Sequence, residues 1–190
     1  MAVIGMVLGK YTASEDVVLG AAMSGRVEAA SRSIVGMFAN TLAVRLKPAG
    51  ASSFSEYLSE VNAVLNGVKR HQDYPFHELI RSLEVERTPG RNPLYDMMVN
   101  YVSRLPVLCV EGVEAEYRHI SSQRLPIDLQ LEIFREGDMM RFELSYTEAL
   151  YLPEVPANMA EQFRVSLARV CENSDISVMD AAELPEAQRR

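Results

Sequence analysis

Two of the chain's three histidines fall in one short stretch, HQDYPFHEL at 71–79, beside an aspartate and two aromatic residues. Imidazole and carboxylate together are the raw material of acid–base catalysis. The spacing argues otherwise. His71 and His77 are separated by Pro75, so they do not share a helix face as a metal-binding His pair does. No GxSxG turn is present, and neither Cys109 nor Cys171 stands near a histidine in sequence. Nucleophilic catalysis therefore has no obvious team of nucleophile, base and orienting acid. No glycine-rich phosphate loop occurs, and the two cysteines have no zinc-type spacing. The residue types name no catalytic group and no metal site.

Bulk properties narrow the class. With 190 residues and 48% hydrophobic content, the chain can bury one substantial core. A formal charge of −7 argues against nucleic acid, whose affinity rests on Lys and Arg neutralising phosphates. The apolar start, MAVIGMVLGKY, is shorter than the roughly 20 residues of a membrane span and lacks the basic and small-residue flanks of a signal peptide. It reads as part of a core helix, which raises the expectation of upstream sequence. Two unpaired thiols fit a reducing, cytoplasmic setting.

The elements that must position any site follow from periodicity. EDVVLG at 15–20 predicts a buried strand, and MFANTLAVRL at 37–46 alternates so that Phe38, Asn40, Leu42, Val44 and Leu46 share one face. Asn40 thus puts a carboxamide on an apolar face, where it either locks to backbone or lines a cavity. Phe54, Leu58, Val61, Leu65 and Val68 form one stripe of a helix that runs to about Arg70, with Ser53 and Glu56 as a capping box. Pro75 stops it. His71 therefore lies at a helix end, where an imidazole can meet terminal carbonyls. A short helix over 76–84, a strand over 94–102 and a hairpin of IDLQLEIFR and MMRFELSY across 136–138 follow. Residues 103–125 have little periodicity, and a last helix is set by Met159, Phe163, Leu167 and Val170, leaving 175–190 as a polar tail. The fold class is α/β: a two-layer α+β sandwich on a mixed sheet with an antiparallel hairpin.

Four segments taken together carry a resemblance. VGMFANTLAVR at 35–45, HQDYPFHEL at 71–79, RTPGRNPL at 87–94 and EDVVLGAAMSGR at 15–26 resemble, in order and spacing, signature motifs of condensation domains from nonribosomal peptide synthetases. ELPEAQRR is similar to the stretch that leads into an adenylation domain. Ala39, His77, Thr88, Gly90 and the Ala21-Ala22 pair depart from the family pattern. The family's catalytic HHxxxDG motif belongs to the N-terminal half, and nothing in this sequence matches it; His119 is followed by ISSQRL.

The resemblance implies a chloramphenicol-acetyltransferase-like half, the C-terminal lobe over 1–182, with 183–190 starting a linker. It implies amide formation between carrier-bound thioesters, with no cofactor held directly and substrates carried on phosphopantetheine. Its implied partners are the N-terminal lobe, peptidyl carrier proteins and a downstream adenylation domain, with no nucleic acid and no membrane. Without the histidine motif the chain alone is expected to be inactive, and the alternative is a non-catalytic interaction module that binds a carrier or partner lobe. Arg26 resembles the family arginine that pairs with the catalytic motif's aspartate across the lobes. Asn40 and Arg91 are the other residues expected at the tunnel, Arg91 having a turn-stabilising salt bridge as its structural alternative. His71, Asp73, Tyr74, Pro75 and Phe76 are expected to build a structural corner, with Tyr74 and Phe76 as anchors and Asp73 as a turn acceptor. Residues 103–125 are expected to cross to the other lobe, and half of a pseudo-dimer should expose an apolar face.

Overall fold

The computed structural model describes residues 1–86, 88–103, 111–113 and 127–184. Five strands form one sheet: β1 (Val17–Met23), β2 (Asn40–Leu46), β3 (Met97–Val102), β4 (Leu129–Glu136) and β5 (Met139–Tyr146), in the order β2-β1-β3-β4-β5. β1 is antiparallel to β2 and parallel to β3; β3 and β4 are parallel, and β4 and β5 form the expected hairpin. The mixed sheet bears out the α/β reading. Parallel neighbours need long crossovers, and the connection from β1 to its parallel neighbour β3 carries β2 and then the helices α2 (Phe54–Arg70) and α3 (Phe76–Ser82).

The period-2 pattern puts Leu19, Val44, Leu46, Met97, Val99, Leu129 and Leu131 into one buried layer. α1 (Ala2–Thr12), α2 and α4 (Glu154–Glu172) cover it with Ile4, Val7, Tyr57, Val61, Met159 and Phe163. α1 is apolar all round, so it is buried from Ala2 to Gly9 rather than along one stripe. Burying a side chain such as Leu or Phe stabilises by about 1.5–3 kcal/mol, which makes this layer the main source of stability. The phenol of Tyr57 is sealed within it without a hydrogen-bond partner among the described residues, and burial pushes its pKa up.

α2 begins as its sequence dictates, with one shift. Ser53 accepts from the Glu56 amide at 3.3 Å, while the Glu56 carboxylate reaches the amide of Ser52 rather than Ser53, at 2.9 Å. The next two free amides, Phe54 and Ser55, donate to the carbonyls of Ile176 and Ser174 at 2.8 Å each. The expected polar tail is therefore corrected. Residues 174–184 pack back onto the lobe through a short helix, α5 (Val178–Ala181), with Val178, Ala181 and Ala182 buried. Gln162 donates to the Ala182 carbonyl at 2.6 Å, and Arg169 to those of Asp180 and Glu183 at 3.1 and 2.8 Å. Residues 185–190, most of 103–125, Cys109 and His119 lie outside the described residues.

Candidate functional site: the Arg26 loop and the 71–76 corner

β1 ends at Met23 and turns sharply at Gly25, whose φ of +62° is left-handed. A Cβ there would sit 1.9 Å from the Phe38 carbonyl oxygen, so only glycine allows this close approach of the two loop arms. The turn aims Arg26 into the loop. Its guanidinium donates to the carbonyls of Ser31, Ile34 (2.9 Å) and Gly36 (2.8 Å), and its carbon lies 4.3 Å from the centre of the Phe38 ring. No carboxylate pairs with it among the described residues. Carbonyl dipoles and a ring face hold the cation in place without neutralising it. The loop it organises presents Val35 fully exposed and Met37 91% exposed. Val27 and Ile34 of the same loop are also exposed, while other exposed apolar residues, such as Leu152 and Met179, lie elsewhere on the surface.

The second feature is the corner after α2. His71 is the C-terminal cap residue of α2, its amide donating to Val68 O at 3.0 Å, and its carbonyl accepts from Tyr74 N at 3.0 Å. Asn40, the first residue of β2, donates from Nδ2 to the carbonyls of Gln72 (2.8 Å) and Tyr74 (2.9 Å), while its Oδ1 accepts from Thr41 N at 3.0 Å. Both amide hydrogens and the oxygen are thus in use. Of the two roles open to Asn40 from sequence, the geometry displays the backbone lock. Pro75 caps α3, and Phe76 packs against Tyr95 with ring centres 5.6 Å apart. Tyr74 differs from its expected role as an anchor: its side chain is largely exposed, and its carbonyl makes the contact. The Asp73 carboxylate, expected to cap the turn, accepts no hydrogen bond among the described residues.

The third predicted residue lies elsewhere. Arg91 follows Gly90, whose φ is +79°, and pairs with the Asp128 carboxylate, which is buried; Asp96 stands 3.8 Å from the same guanidinium. Hydrogen bonding to Asp128 raises the Arg91 pKa. Asn92 accepts from the amides of Leu94 (3.0 Å) and Tyr95 (3.3 Å), an Asx turn that sets up β3. The Arg26 loop and the corner meet through the Phe38–Asn40 segment, whereas Arg91 sits toward the opposite end of the sheet, where β3 and β4 begin. Asp128 was missed from sequence, although a lone carboxylate opening an alternating strand is the available signal.

Val27 of the loop and Asn66, Lys69, Arg70, Gln72 and Asp73 of the helix end line a cleft of about 410 Å³ between the two features. Among the described residues, no group of His, Cys, Asp and Glu could hold a metal ion. Among the described residues the site offers a fixed cation, a cleft with two cationic side chains and one carboxylate, and an apolar loop. The family model for the condensation domain matches residues 1–190. The chain belongs to the condensation-domain family. It is 33% identical to tyrocidine synthase 3 from Brevibacillus parabrevis over its whole length, which is 3% of that protein. The condensation-domain fold also aligns with the starter condensation domain of rhizomide synthetase in complex with C8-CoA and Leu-SNAC at a TM-score of 0.81 and 25% identity, covering 97% of this chain and 42% of that one. The X-domain from teicoplanin biosynthesis aligns at a TM-score of 0.83 and 20% identity over 94% of this chain and 42% of that one, a likeness of fold. The sequence resemblance is thereby borne out, and the chain spans well under half of each of these relatives.

Proposed function

We propose that this chain is the C-terminal lobe of a condensation domain that joins a carrier-bound acyl thioester to a carrier-bound amine. The observation that carries the reading is Arg26: a guanidinium locked by three carbonyls and a ring, with no carboxylate of its own among the described residues, beside an exposed apolar loop. A partner lobe bearing HHxxxDG supplies the matching aspartate, and the Arg–carboxylate contact fixes the histidine loop in place. Residues 1–182 form the lobe and 183–190 lead toward an adenylation domain. The cleft sets Lys69 and Arg70 against one carboxylate, Asp73, and this small positive excess supports contact with the phosphodiester of a carrier-borne phosphopantetheine. Phosphopantetheine arrives with its carrier and has no resident site on the lobe. No helix among the described residues is long and apolar enough to cross a membrane, in keeping with a cytoplasmic synthetase.

Proton transfer and positioning each contribute orders of magnitude to such a reaction, so the lobe alone gives no turnover. The test is complementation with two loaded carrier proteins. This chain alone should form no amide, and adding a separately prepared N-terminal lobe should restore product. Turnover by the chain alone would remove the need for the partner motif, and binding of a carrier or an N-terminal lobe without any product would favour the interaction-module alternative.

A further inference from the structure

A cavity of about 520 Å³ opens at the start of β1, between the end of α1 and the start of α4. It lies at the opposite end of β1 from Arg26, roughly 20 Å away at ~3.3 Å per strand residue. Its volume falls within the range of small-molecule sites, about 300–1,000 Å³. Leu8, Met97, Leu129 and Met159 form an apolar floor that is already buried. Its rim is polar. Tyr11 and Tyr151 line the walls, and neither phenol makes a hydrogen bond among the described residues. Two carboxylates, Asp16 and Asp96, line it, and no Lys, Arg or His does.

The two carboxylates are not equivalent. Asp16 is clamped by Arg45 through two bonds of 2.9 Å and a third, shorter one, so its charge is matched. Asp96 has only Arg91 at 3.8 Å, and that guanidinium is drawn to the buried Asp128. Asp96 thus shares its one cation with a closer competitor, and its side chain is 63% exposed. Tyr151 reports the same field: its pKa is raised by burial and then by Asp128 and Asp96, with Arg91 opposing. An anion entering this cleft meets a repulsive rim.

We infer that this cleft binds an organic ammonium with an apolar body, the body on the Leu8–Met159 floor and the cation between Asp96 and the rings of Tyr11 and Tyr151. Ring faces and a carboxylate are the groups that recognise such cations. The inference does not depend on the condensation reading. It is tested by titrating 2-phenylethylamine into the full-length protein at pH 7 by calorimetry, with 3-phenylpropionate as the probe of opposite charge. The amine should saturate and the acid should not. Asp96→Asn, a change at an exposed side chain, should weaken the amine roughly tenfold, the effect of losing one charge-assisted contact. Equal binding of both probes, no saturation by the amine, or an Asp96→Asn affinity equal to wild type would each overturn the assignment. Met159→Phe, which raises the floor, should weaken the amine as well; unchanged affinity in a variant that still melts cooperatively would also overturn it.

Discussion

Two Gly-Arg pairs, Gly25-Arg26 and Gly90-Arg91, share a left-handed glycine and a cationic side chain, yet they are built for opposite ends. Arg91 faces a buried carboxylate of its own chain, and the pair closes a turn that launches β3. Arg26 faces carbonyl oxygens and a ring, so its position is fixed while its charge is left unneutralised. The glycines differ in the same sense. A Cβ at Gly25 would strike the Phe38 carbonyl, whereas one at Gly90 would meet nothing within 4 Å. An arginine locked to its own acid is structural; one locked to neutral groups keeps an unmatched charge, which under our proposal meets an acid of the partner lobe.

The largest effect should come from the glycines. Gly25→Ala combines a left-handed φ with a collision against backbone and should cost about 3 kcal/mol or more, whereas Gly90→Ala should cost about 1 kcal/mol, the left-handed strain alone. Urea unfolding of the two variants measures this, and equal losses would break the contrast. Next, Arg91→Ala strands Asp128 as a buried, unpaired carboxylate and should lower Tm by about 5 °C or more, with Arg26→Ala changing it by less than half as much. Thermal melts of both decide it. A larger loss from Arg26→Ala would make that residue the structural one.

Asn40→Ala sharpens the comparison from the neighbouring corner. Removing three hydrogen bonds to backbone should cost about 2 kcal/mol and raise amide exchange at Thr41, with the α4 amides unaffected. The smallest effect belongs to a third arginine, Arg45, whose partner Asp16 is exposed. Its hydrogen bond holds the Asp16 carboxyl below the usual range. A depressed folded-state pKa gives stability that is present above about pH 4 and fades as the pH falls through the folded value. Asp16→Asn should therefore remove a small stabilisation that the wild type has at pH 7 and flatten the decline below about pH 4; a profile unchanged at both ends would mean that the pair contributes nothing, and a large loss at pH 7 that it does more than an exposed contact can.

What the sequence made legible follows from how far each signal reaches. The β4–β5 hairpin, α2 and the mixed sheet were readable because alternation and the 3.6-residue stripe are local patterns that burial enforces. The bonds of Asn40 were not, since its acceptors are main-chain carbonyls 32 and 34 residues away, and a carbonyl carries no side-chain signature. The carbonyl cage of Arg26 was hidden for the same reason. α5 was missed because four residues cannot show a period, although Ser177 capping the Asp180 amide at 3.0 Å is a helix-start signal in SVMD. Tyr74 and Asp73 show the reverse: their side-chain types suggest an anchor and a cap, whereas backbone carbonyls make the corner.

The central claim is that the charge of Arg26 is held for a partner lobe. The measurement that tests it most directly is the affinity of this chain for a separately prepared N-terminal lobe bearing HHxxxDG, wild type against Arg26→Ala, by calorimetry at low salt. The account expects binding at least about tenfold weaker for the variant, from loss of a charge-assisted pair, with Tm little changed. Equal affinity of the two proteins would contradict it and would leave Arg26 as no more than the clasp of its own loop.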